Sequence, residues 1–402
     1  MRRIVITGMG CVSALGVTAR DTWAGMREGR SGIGPLTGLD DPTLRTPIAA
    51  QAHAFVAGEH FDEKRLVLLD PVSQMALVAA REAVAQAGIG FGEVAERTAV
   101  VIGTGIGGAS TQDQMARRLY AEKNPRVHPM AIVRVMPNAP ASQISLEFGL
   151  RGPTFAVASA CASSNHAIGQ ALTLLQTGQA EVALAGGSEA CITLGTVKAW
   201  EAMRVLADDT CRPFSQGRRG LVLGEGAGVF VLETLEHAQA RGAVILAELA
   251  GCGMSADAAD IVMPDASGAA RAMRGALAMA GLDPEDVDYI NAHGTGTQAN
   301  DPTETRAIRA LFGPHADTLA VSSTKGAHGH ALGGGGAIEL VAALGAITEG
   351  VVPPTINYLG PDPDCDLNVV PNTAQQRPVR AALSNSFAFG GLNAVLAVKR
   401  FR

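Results

Sequence analysis

The stretch Ser159-Ala160-Cys161-Ala162-Ser163-Ser164 joins a short apolar segment at residues 154–158 to a helical pattern at residues 166–177. This order predicts a buried strand, a sharp turn of small residues and a helix. The first turn of a helix offers unpaired N–H groups and the positive end of its dipole, and both favour a thiolate. We therefore expect the pKa of Cys161 to be lowered and its sulfur to act as a nucleophile. The alternative is a small buried side chain at a helix start, which is common for free cysteine.

Short β-branched runs alternate with longer helical patterns along the whole chain. Strands separated by helices indicate an α/β fold with largely parallel, buried strands. We predict strands at residues 3–7, 99–103, 154–158, 182–186, 228–233, 244–251, 288–292, 319–323, 381–385 and 394–399. We predict helices at residues 70–87, 166–177, 266–281, 301–312 and 337–348.

The chain also has the pattern of two related halves. Each half begins with a strand that ends in glycine, and each contains a turn that opens a helix of small residues. These features lie at residues 4–10 and 159–164 in the first half and at 246–253 and 323–336 in the second. We predict an N-terminal half at 1–240, which carries the nucleophile, and a C-terminal half at 241–402. Catalytic groups from both halves would meet around a pseudo-two-fold axis.

Composition narrows the possible classes of function. The chain has 402 residues, of which 47% are apolar and 17% charged, so it is globular and long enough for two domains. The net charge of −6, without a basic tail, argues against a nucleic-acid partner. The six cysteines form no C-x-x-C pair, which argues against a zinc site or a disulfide framework and favours the reducing cytoplasm.

The N-terminus has some likeness to a signal peptide, because Arg2 and Arg3 precede an apolar stretch. Gly8, Gly10 and Gly16 interrupt that stretch, so a buried first strand that ends in a glycine turn is the better interpretation. No apolar run reaches the roughly 18 residues that a membrane-spanning helix needs. We therefore expect no membrane span.

Three polar residues of the second half follow predicted strands in segments rich in glycine and threonine. They are His293 in Asn291-Ala292-His293-Gly294-Thr295-Gly296-Thr297, and Lys325 and His330 in Lys325-Gly326-Ala327-His328-Gly329-His330. Side chains at strand ends commonly point into a cleft. Two neutral imidazoles without an acidic partner suit enolate stabilisation better than hydrolysis, and a neighbouring Lys⁺ would keep them neutral. The alternative is a pair of structural histidines in glycine turns.

Two further motifs carry less weight. Gly103-Thr104-Gly105-Ile106-Gly107-Gly108 matches the glycine pattern of a dinucleotide site, but no second strand ends in an acidic residue about 20 positions later. We interpret it as a tight turn under a ligand tunnel. Asp362-Pro363-Asp364-Cys365-Asp366 is similar to the start of a calcium loop, but Leu367 and Thr373 stand where glycine and glutamate are needed. We predict a turn there and no metal.

Taken together, Cys161 in its small-residue turn, His293 in H-G-T-G-T, and Lys325 and His330 in K-x-x-x-G-H resemble the elongating β-ketoacyl-[acyl-carrier-protein] synthases. The resemblance covers essentially the whole chain. Further matching segments lie at residues 4–10, 186–189, 224–228 and 385–391. The local sequences at residues 27–31 and 387–393 are most similar to the nodulation protein E branch.

The resemblance implies a duplicated thiolase-type fold of the α/β class, with five layers (αβαβα) and two mixed sheets, usually as a homodimer. It also implies a two-stage reaction. Cys161 would take an acyl chain from an acyl carrier protein, and malonyl on its own carrier would then lose carbon dioxide. His293 and His330 would stabilise the enolate, whose attack on the Cys161 thioester gives a 3-oxoacyl chain on the carrier. No cofactor would be needed beyond the phosphopantetheine arm of the carrier.

Further roles around the reacting atoms follow from the same resemblance. Lys325 would orient His330 and adjust its pKa, and Glu304 would hold catalytic residues in place without touching the substrate. Phe389 would act as a gate between the two stages. The backbone N–H groups of Phe389 and Cys161 would form the oxyanion hole.

The resemblance also implies a channel for the phosphopantetheine arm and an apolar tunnel for the acyl chain. The matching residues are Thr295 and Thr297 for the arm, Ile106 and Trp200 for the tunnel, and Met130 and Ile132 for the contribution of the partner subunit. Trp200 stands where phenylalanine is common, and its larger ring would shorten or bend the tunnel. The alternative for Trp200 is ordinary core packing.

An acidic carrier protein would dock on a local basic patch despite the net negative charge. The matching residues are Arg126, Arg204, Lys64 and Arg65. Two departures from the family pattern stand out. The usual basic pair before Asp70 is replaced by Val67-Leu68-Leu69. The pattern P-F-D-x-x-R-D-G-F becomes Pro213-Phe214-Ser215-Gln216-Gly217-Arg218-Arg219-Gly220-Leu221, so two acidic positions are lost and we expect the local salt bridge to be rebuilt.

Two other functions are alternatives to condensation. A non-catalytic chain-length subunit would pair with an active ketosynthase, but such partners usually lack the nucleophile that Cys161 supplies. A thiolase-like enzyme would act on free coenzyme A thioesters, and the H-G-T-G-T and K-x-x-x-G-H motifs argue against it. The sequence leaves open whether the protein forms a homodimer or a heterodimer with a paralogue.

Overall fold

The computed structural model describes residues 2–401, which form a ten-stranded mixed sheet together with helices and short two-stranded pairs. The strands are β1 Ile4–Val12, β2 Gly34–Pro35, β3 Ile48–Ala49, β4 Thr98–Gly103, β5 Thr154–Val157, β6 Val182–Glu189, β7 Gly226–Thr234, β8 Ala247–Ala256, β9 Tyr289–Asn291, β10 Ala320–Ser322, β11 Val351–Val352, β12 Gln375–Gln376, β13 Ala381–Ala388 and β14 Leu392–Lys399.

Helices pack on the outer faces of the large sheet and also between its two halves. They are α1 Ala19–Glu28, α2 Ala57–His60, α3 Glu63–Leu66, α4 Pro71–Ala87, α5 Ala109–Ala116, α6 Ala131–Val135, α7 Ala139–Phe148, α8 Ser163–Gln176, α9 Leu194–Met203, α10 Leu235–Ala240, α11 Ala266–Ala280, α12 Asn300–Phe312, α13 Lys325–His328 and α14 Leu332–Glu349. Short 3₁₀ turns lie at Gly92–Arg97, Pro284–Asp286 and Gly313–Asp317, and a π turn lies at Arg117–Ala121.

The large sheet consists of two halves with the same strand order. Outward from the junction, β1, β7, β6, β4 and β5 follow one another on one side, and β8, β14, β13, β9 and β10 on the other. In each half the first two pairings are antiparallel and the last two are parallel. Within residues 2–401, the strands of the two halves pair with each other where Val5 and Ile6 face Glu248 and Ala247. This repeated order supports our proposal that the chain divides into related halves at 1–240 and 241–402.

The predicted strands are all present, but the expectation of largely parallel pairing is wrong near the junction. β13 and β14 are joined by the short turn at residues 389–391 and pair antiparallel, because a tight turn can join only antiparallel neighbours. Among the predicted helices, α14 begins five residues earlier than expected, at Leu332. Its initial glycines allow close packing rather than a turn: a Cβ on Gly333 would lie 2.2 Å from the backbone nitrogen of Gly105. The sequence patterns did not predict α1, α7 and α9.

Five layers are stacked, as the resemblance implies. α8 and α14 lie between the two half-sheets, while α4 and α11 cover the outer faces. α14 is long and apolar enough to cross a membrane by length and composition, so the expectation that no apolar run reaches that length is wrong, but 89% of it is buried inside the molecule. Burial of this kind is the normal situation of a core helix. The central layer therefore supplies the apolar core against which both half-sheets pack.

Glycines bring each outer helix unusually close to its sheet, and they do so in the same way in both halves. A Cβ on Gly10 of β1 would lie 1.9 Å from the carbonyl oxygen of Ala79 in α4. A Cβ on Gly253 of β8 would lie 1.9 Å from the carbonyl oxygen of Ala272 in α11. A contact this short with backbone cannot be relieved by a side-chain rotation, so these positions accept only glycine.

We predict that Gly253→Val destabilises the protein by roughly 3 kcal/mol or more, because α11 must move away from β8 and the core opens. Gly90→Val is the matched control: its Cβ would meet no atom within 4 Å, and its effect should stay within about 0.5 kcal/mol. Urea unfolding of the two variants measures the difference. Equal stabilities would contradict the close-packing argument.

Candidate active site

Cys161 lies in a strained turn between β5 and α8. Ala160, directly before it, has φ of 49°, a left-handed conformation that residues other than glycine rarely adopt. The turn aims the thiol into the protein, where Cys161 is only 7% exposed. Its sulfur lies 3.1 Å from Nε2 of His330. The strand–turn–helix arrangement predicted from the sequence is therefore present, and it brings two of the candidate residues into contact.

The expectation that the pKa of Cys161 is lowered is wrong. Burial raises the pKa of the Cys161 thiol to about 12, although the charge of Lys325 acts in the opposite direction. α8 begins only at Ser163 with Ala162 as its N-cap, so Cys161 precedes the helix rather than forming its first turn. The loss of hydration outweighs the favourable charges around the sulfur. The resting nucleophile is a neutral thiol.

His330 is held by its backbone and has a free ring nitrogen. Its backbone N–H donates to the carbonyl oxygen of Val222 at 2.7 Å. The ring nitrogen Nδ1 has no hydrogen-bond partner among residues 2–401. Burial and the charge of Lys325 hold the pKa of His330 well below its ordinary value. The imidazole is therefore neutral and free to exchange a proton through Nε2 with the neighbouring sulfur.

His293 follows β9 and is held by the carboxylate of Glu304 in α12. The backbone N–H groups of His293 and Gly294 donate to Glu304 at 2.9 and 2.8 Å. The His293 ring stands 5.3 Å from that of His330, at an interplanar angle of 81°. Burial and the nearby Lys325 ammonium hold the pKa of His293 well below its ordinary value. Glu304 thus positions the backbone of His293 without contacting the reacting atoms.

Lys325 contacts His293 rather than His330, which corrects the expectation that it orients His330. Its Nζ donates to the carbonyl oxygen of His293 at 2.6 Å and lies 3.3 Å from His293 Nδ1. It also forms a buried ion pair with Glu339. Its effect on His330 is electrostatic, because its positive charge disfavours a second cation nearby.

Glu339 is a residue that the motif analysis missed. It lies in the middle of α14 and supplies the counter-charge for the buried ammonium of Lys325. A buried ammonium without a counter-ion would cost several kcal/mol, so this carboxylate stabilises Lys325 in the protein interior. The sequence feature that could have identified Glu339 is its position as the single acidic residue in the apolar stretch 332–348.

A cavity of about 260 Å³ leads from the protein surface to Cys161. Thr295 and Thr297 line it with their hydroxyl oxygens 2.9 Å apart. Trp200 and Phe389 also line it, and their rings stack at 5.8 Å with an interplanar angle of 27°. Phe389 stands immediately before Gly390 and Gly391. The remaining lining includes Arg204, Val205, Arg219, Leu221, Asp257, Val262, Met263, Gln298, Asn300, Phe387 and Asn393.

Three of the predicted tunnel residues lie outside this cavity. Ile106, Met130 and Ile132 are exposed large apolar side chains, with exposed fractions of 37%, 39% and 64%. Met130 and Ile132 were expected to act from a partner subunit, so their exposure in one chain agrees with that expectation without testing it. Ile106 does not line the cavity, and it lies on the surface instead.

The predicted docking residues are spread over the surface. Arg204 stands at the cavity mouth, whereas Arg126 and Lys64 are exposed elsewhere. Arg65 is partly occupied by an ion pair with Glu147 at 3.1 Å. Arg219, which the motif analysis did not select as a docking residue, also lines the mouth.

The glycine motif at residues 103–108 and the acidic motif at residues 362–366 both have structural explanations. Glu189 accepts hydrogen bonds from the backbone N–H groups of Gly105 and Ile106 at 2.7 and 3.2 Å. A protein carboxylate thus occupies the place that a pyrophosphate would take in a dinucleotide site. In the second motif, Asp362 forms an ion pair with Arg218 at 2.5 Å. This pair is the rebuilt salt bridge expected from the altered P-F-D-x-x-R-D-G-F pattern.

The donor atoms of Cys161, His293 and His330 lie within 4.8 Å of one another, a spacing that ligands of a metal ion also show. The same three residues can also carry out chemistry that needs no metal ion. A thiol next to two neutral imidazoles provides a nucleophile, a proton acceptor and two N–H donors. This set can form a thioester and stabilise the negative charge of an enolate.

Family models match both halves of the chain. "Beta-ketoacyl synthase, N-terminal domain" matches residues 1–238, and "Beta-ketoacyl synthase, C-terminal domain" matches residues 246–359. The chain belongs to the β-ketoacyl synthase family. It is therefore an acyltransferase of the condensing type, and the resemblance found in its motifs is confirmed.

Similar proteins cover this β-ketoacyl synthase from end to end. Nodulation protein E of Rhizobium meliloti (strain 1021) is 52% identical over 400 residues, which span 99% of both chains. The 3-oxoacyl-[acyl-carrier-protein] synthase 2 of Staphylococcus aureus (strain COL) is 42% identical over 409 residues, which span 100% of this chain and 99% of that protein. The solved ishigamide ketosynthase/chain length factor is 36% identical, with a TM-score of 0.95 and full coverage of both chains. The predicted thiolase-type fold is confirmed by this match.

We predict that the rate of Cys161 alkylation by iodoacetamide rises through pH 7 to 10 without a plateau. Because burial raises the pKa of the thiol to about 12, the reactive thiolate increases about tenfold per pH unit throughout this range. Peptide mass spectrometry separates Cys161 from the other five cysteines, which are also free and buried. A plateau below pH 9 would show instead a standing thiolate–imidazolium pair.

Proposed function

We propose that this β-ketoacyl synthase condenses an acyl chain on Cys161 with malonyl-[acyl-carrier-protein], releasing carbon dioxide and giving 3-oxoacyl-[acyl-carrier-protein]. The observation that carries the proposal is the 3.1 Å contact between the Cys161 sulfur and His330 Nε2, with His293 beside them. The product would serve fatty acid or specialised lipid or polyketide synthesis. The relatives named as a nodulation protein and a 3-oxoacyl-[acyl-carrier-protein] synthase support this assignment.

In the first stage the Cys161 sulfur attacks the carbonyl carbon of the incoming thioester. The thiol proton passes to His330 Nε2 as the carbon–sulfur bond forms, because the thiol itself ionises only near pH 12. The backbone N–H groups of Cys161 and Phe389 would hold the oxyanion. The departing carrier thiolate takes the proton from His330, which restores the neutral imidazole.

In the second stage malonyl loses carbon dioxide, and the enolate oxygen needs hydrogen-bond donors. Lys325 Nζ lies 3.3 Å from His293 Nδ1, so Nδ1 accepts from the ammonium and Nε2 carries the proton that His293 donates. His330 donates through Nε2 after its neutral ring has changed tautomer, with the proton leaving Nδ1, which has no protein partner among residues 2–401, and returning on Nε2. The enolate carbon attacks the Cys161 thioester and the new carbon–carbon bond forms. Cys161 leaves as the thiolate and takes up one proton from solvent, the proton that decarboxylation of the malonyl carboxylate consumes overall.

The substrate would enter on the phosphopantetheine arm of an acyl carrier protein, and no other cofactor or metal takes part. Thr295 and Thr297 line the approach to Cys161 and offer hydroxyl groups to the amides of the arm. Trp200 and Phe389 form the apolar wall where the acyl chain begins. Phe389 would gate the two stages, since it stands on a turn of two glycines with φ of 83° and 69°.

A dimer is part of the proposal. β5 is an edge strand of the large sheet, and such edges pair readily with another chain. The surface also carries several exposed apolar side chains, a feature typical of an interface. They are Ile106, Val127, Met130, Ile132, Val133 and Met136. The partner is a second copy or, as the name of the ishigamide ketosynthase/chain length factor suggests, a paralogue. The six free cysteines favour the cytoplasm.

We expect Cys161→Ala to abolish condensation from acyl- and malonyl-carriers, because no thioester can form. Cys161→Gln should also fail to condense but should continue to decarboxylate malonyl-carrier, since its amide imitates the acylated state and both imidazoles remain. Product analysis by mass spectrometry, with carbon dioxide release measured in parallel, separates these results. Cys365→Ala is the control, because Cys365 is buried outside the reacting cluster and does not line the cavity. Full condensation by Cys161→Ala would refute the role.

The same experiment decides the alternative of a non-catalytic chain-length subunit. Such a subunit needs no thiol in contact with an imidazole, so the geometry at Cys161 counts against it. The protein purified alone should condense. Activity that appears only after an active ketosynthase is added, and that persists in the Cys161→Ala variant, would favour the alternative.

A further inference from the structure

Two exposed arginines, Arg204 and Arg219, line the active-site cavity. The segments at residues 204–206 and 219–221 run parallel: Leu206 pairs with Leu221, and the N–H of Leu221 donates to the carbonyl of Val205 at 2.9 Å. Arg204 and Arg219 each lie two residues before the Leu206–Leu221 pair, and both line the cavity. The fold therefore brings two arginines on paired segments to the wall of the same cavity.

These charges are only weakly compensated by the protein. Arg219 lies 3.3 Å from Asp208, but the two side chains are 63% and 67% exposed, and exposed ion pairs of this kind contribute little. Arg204 forms no ion pair within the described part of the chain. Asp257 is the acid among the cavity-lining residues, and its carboxylate already accepts hydrogen bonds from the Asn393 amide at 2.7 Å and the Asp265 N–H at 3.0 Å.

Two like charges that line one cavity and are only weakly compensated repel each other, and an anion bound between them relieves this repulsion. Arginine is also the residue best suited to a phosphate, because its planar fork can donate two parallel hydrogen bonds to phosphate oxygens. Arg219 stands where the family pattern has an acidic residue, so the charge at this point is reversed in this chain. The apolar pair Val67 and Leu68, both exposed, replaces basic residues that would otherwise attract the carrier.

We propose that Arg219, together with Arg204, binds the phosphodiester group of the phosphopantetheine arm. This inference rests on the proposed function, since it takes the arm as the occupant of the cavity. The arm carries its thioester at one end and its phosphate at the other. When the thioester lies at Cys161 and the arm passes Thr295 and Thr297, the phosphate lies at the mouth, beside the two guanidinium groups.

The test compares three acyl donors that differ only beyond the pantetheine: acyl-carrier protein, acyl-4′-phosphopantetheine and acyl-pantetheine, which lacks the phosphate. The kcat/KM for acylation of Cys161 is followed by mass spectrometry of the intact protein. For Arg219→Ala we expect a fall of about tenfold with the two phosphate-bearing donors, which corresponds to about 1.4 kcal/mol. The value for acyl-pantetheine should not change. Arg219→Asp should cause a larger fall with the same selectivity.

Arg274→Ala is the control, because Arg274 is an exposed arginine of α11 that does not line the cavity. A loss confined to acyl-carrier protein would overturn the proposal in favour of a contact with the carrier surface. An equal loss with all three donors would indicate a reshaped cavity, and no loss would remove Arg219 from recognition. Failure of the wild-type protein to acylate from any donor would instead refute the proposed function.

Discussion

The contact between the Cys161 sulfur and the His330 imidazole is the constraint on which the rest of the site depends. The two residues lie 169 positions apart and in opposite halves of the sheet, so their spacing requires a firm connection between the halves. Gly333 provides it. Its carbonyl accepts a hydrogen bond from the hydroxyl of Ser164, three residues after Cys161, and its N–H donates to Glu189 at 3.0 Å. The turn that carries the sulfur and the helix that follows the imidazole are thereby tied together.

Burial determines the charge state of the reacting groups. The same loss of hydration raises the pKa of the Cys161 thiol and lowers the pKa of His293 and His330, because it disfavours whichever form is charged. All three groups are therefore neutral at rest, and Lys325 and Glu339 form a buried ion pair beside them. A neutral site suits a reaction in which negative charge appears only during each stage: first on a tetrahedral oxygen and then on an enolate.

Two regions of the protein surface are arranged so that a partner or a substrate could bind there. The edge of the sheet at β5 and the apolar side chains near Ile132 are exposed in the single chain, and a dimer would cover both. The cavity mouth beside Arg204 is positive although the whole chain has a net charge of −6. Recognition of an anionic substrate thus depends on the local arrangement of charges, while the net charge has little bearing on it.

The sequence by itself determined the strands of the large sheet, the nucleophile turn at Cys161 and the histidine motifs, because strand pattern, turn chemistry and motif spacing are local properties of the chain. It also determined the family. Only the tertiary structure decided that the Cys161 thiol has a raised pKa, that Lys325 holds His293 and pairs with Glu339, and that Arg219 and Arg204 line the same cavity. These facts depend on desolvation and on contacts between residues far apart in the chain, and neither quantity is encoded in any single segment.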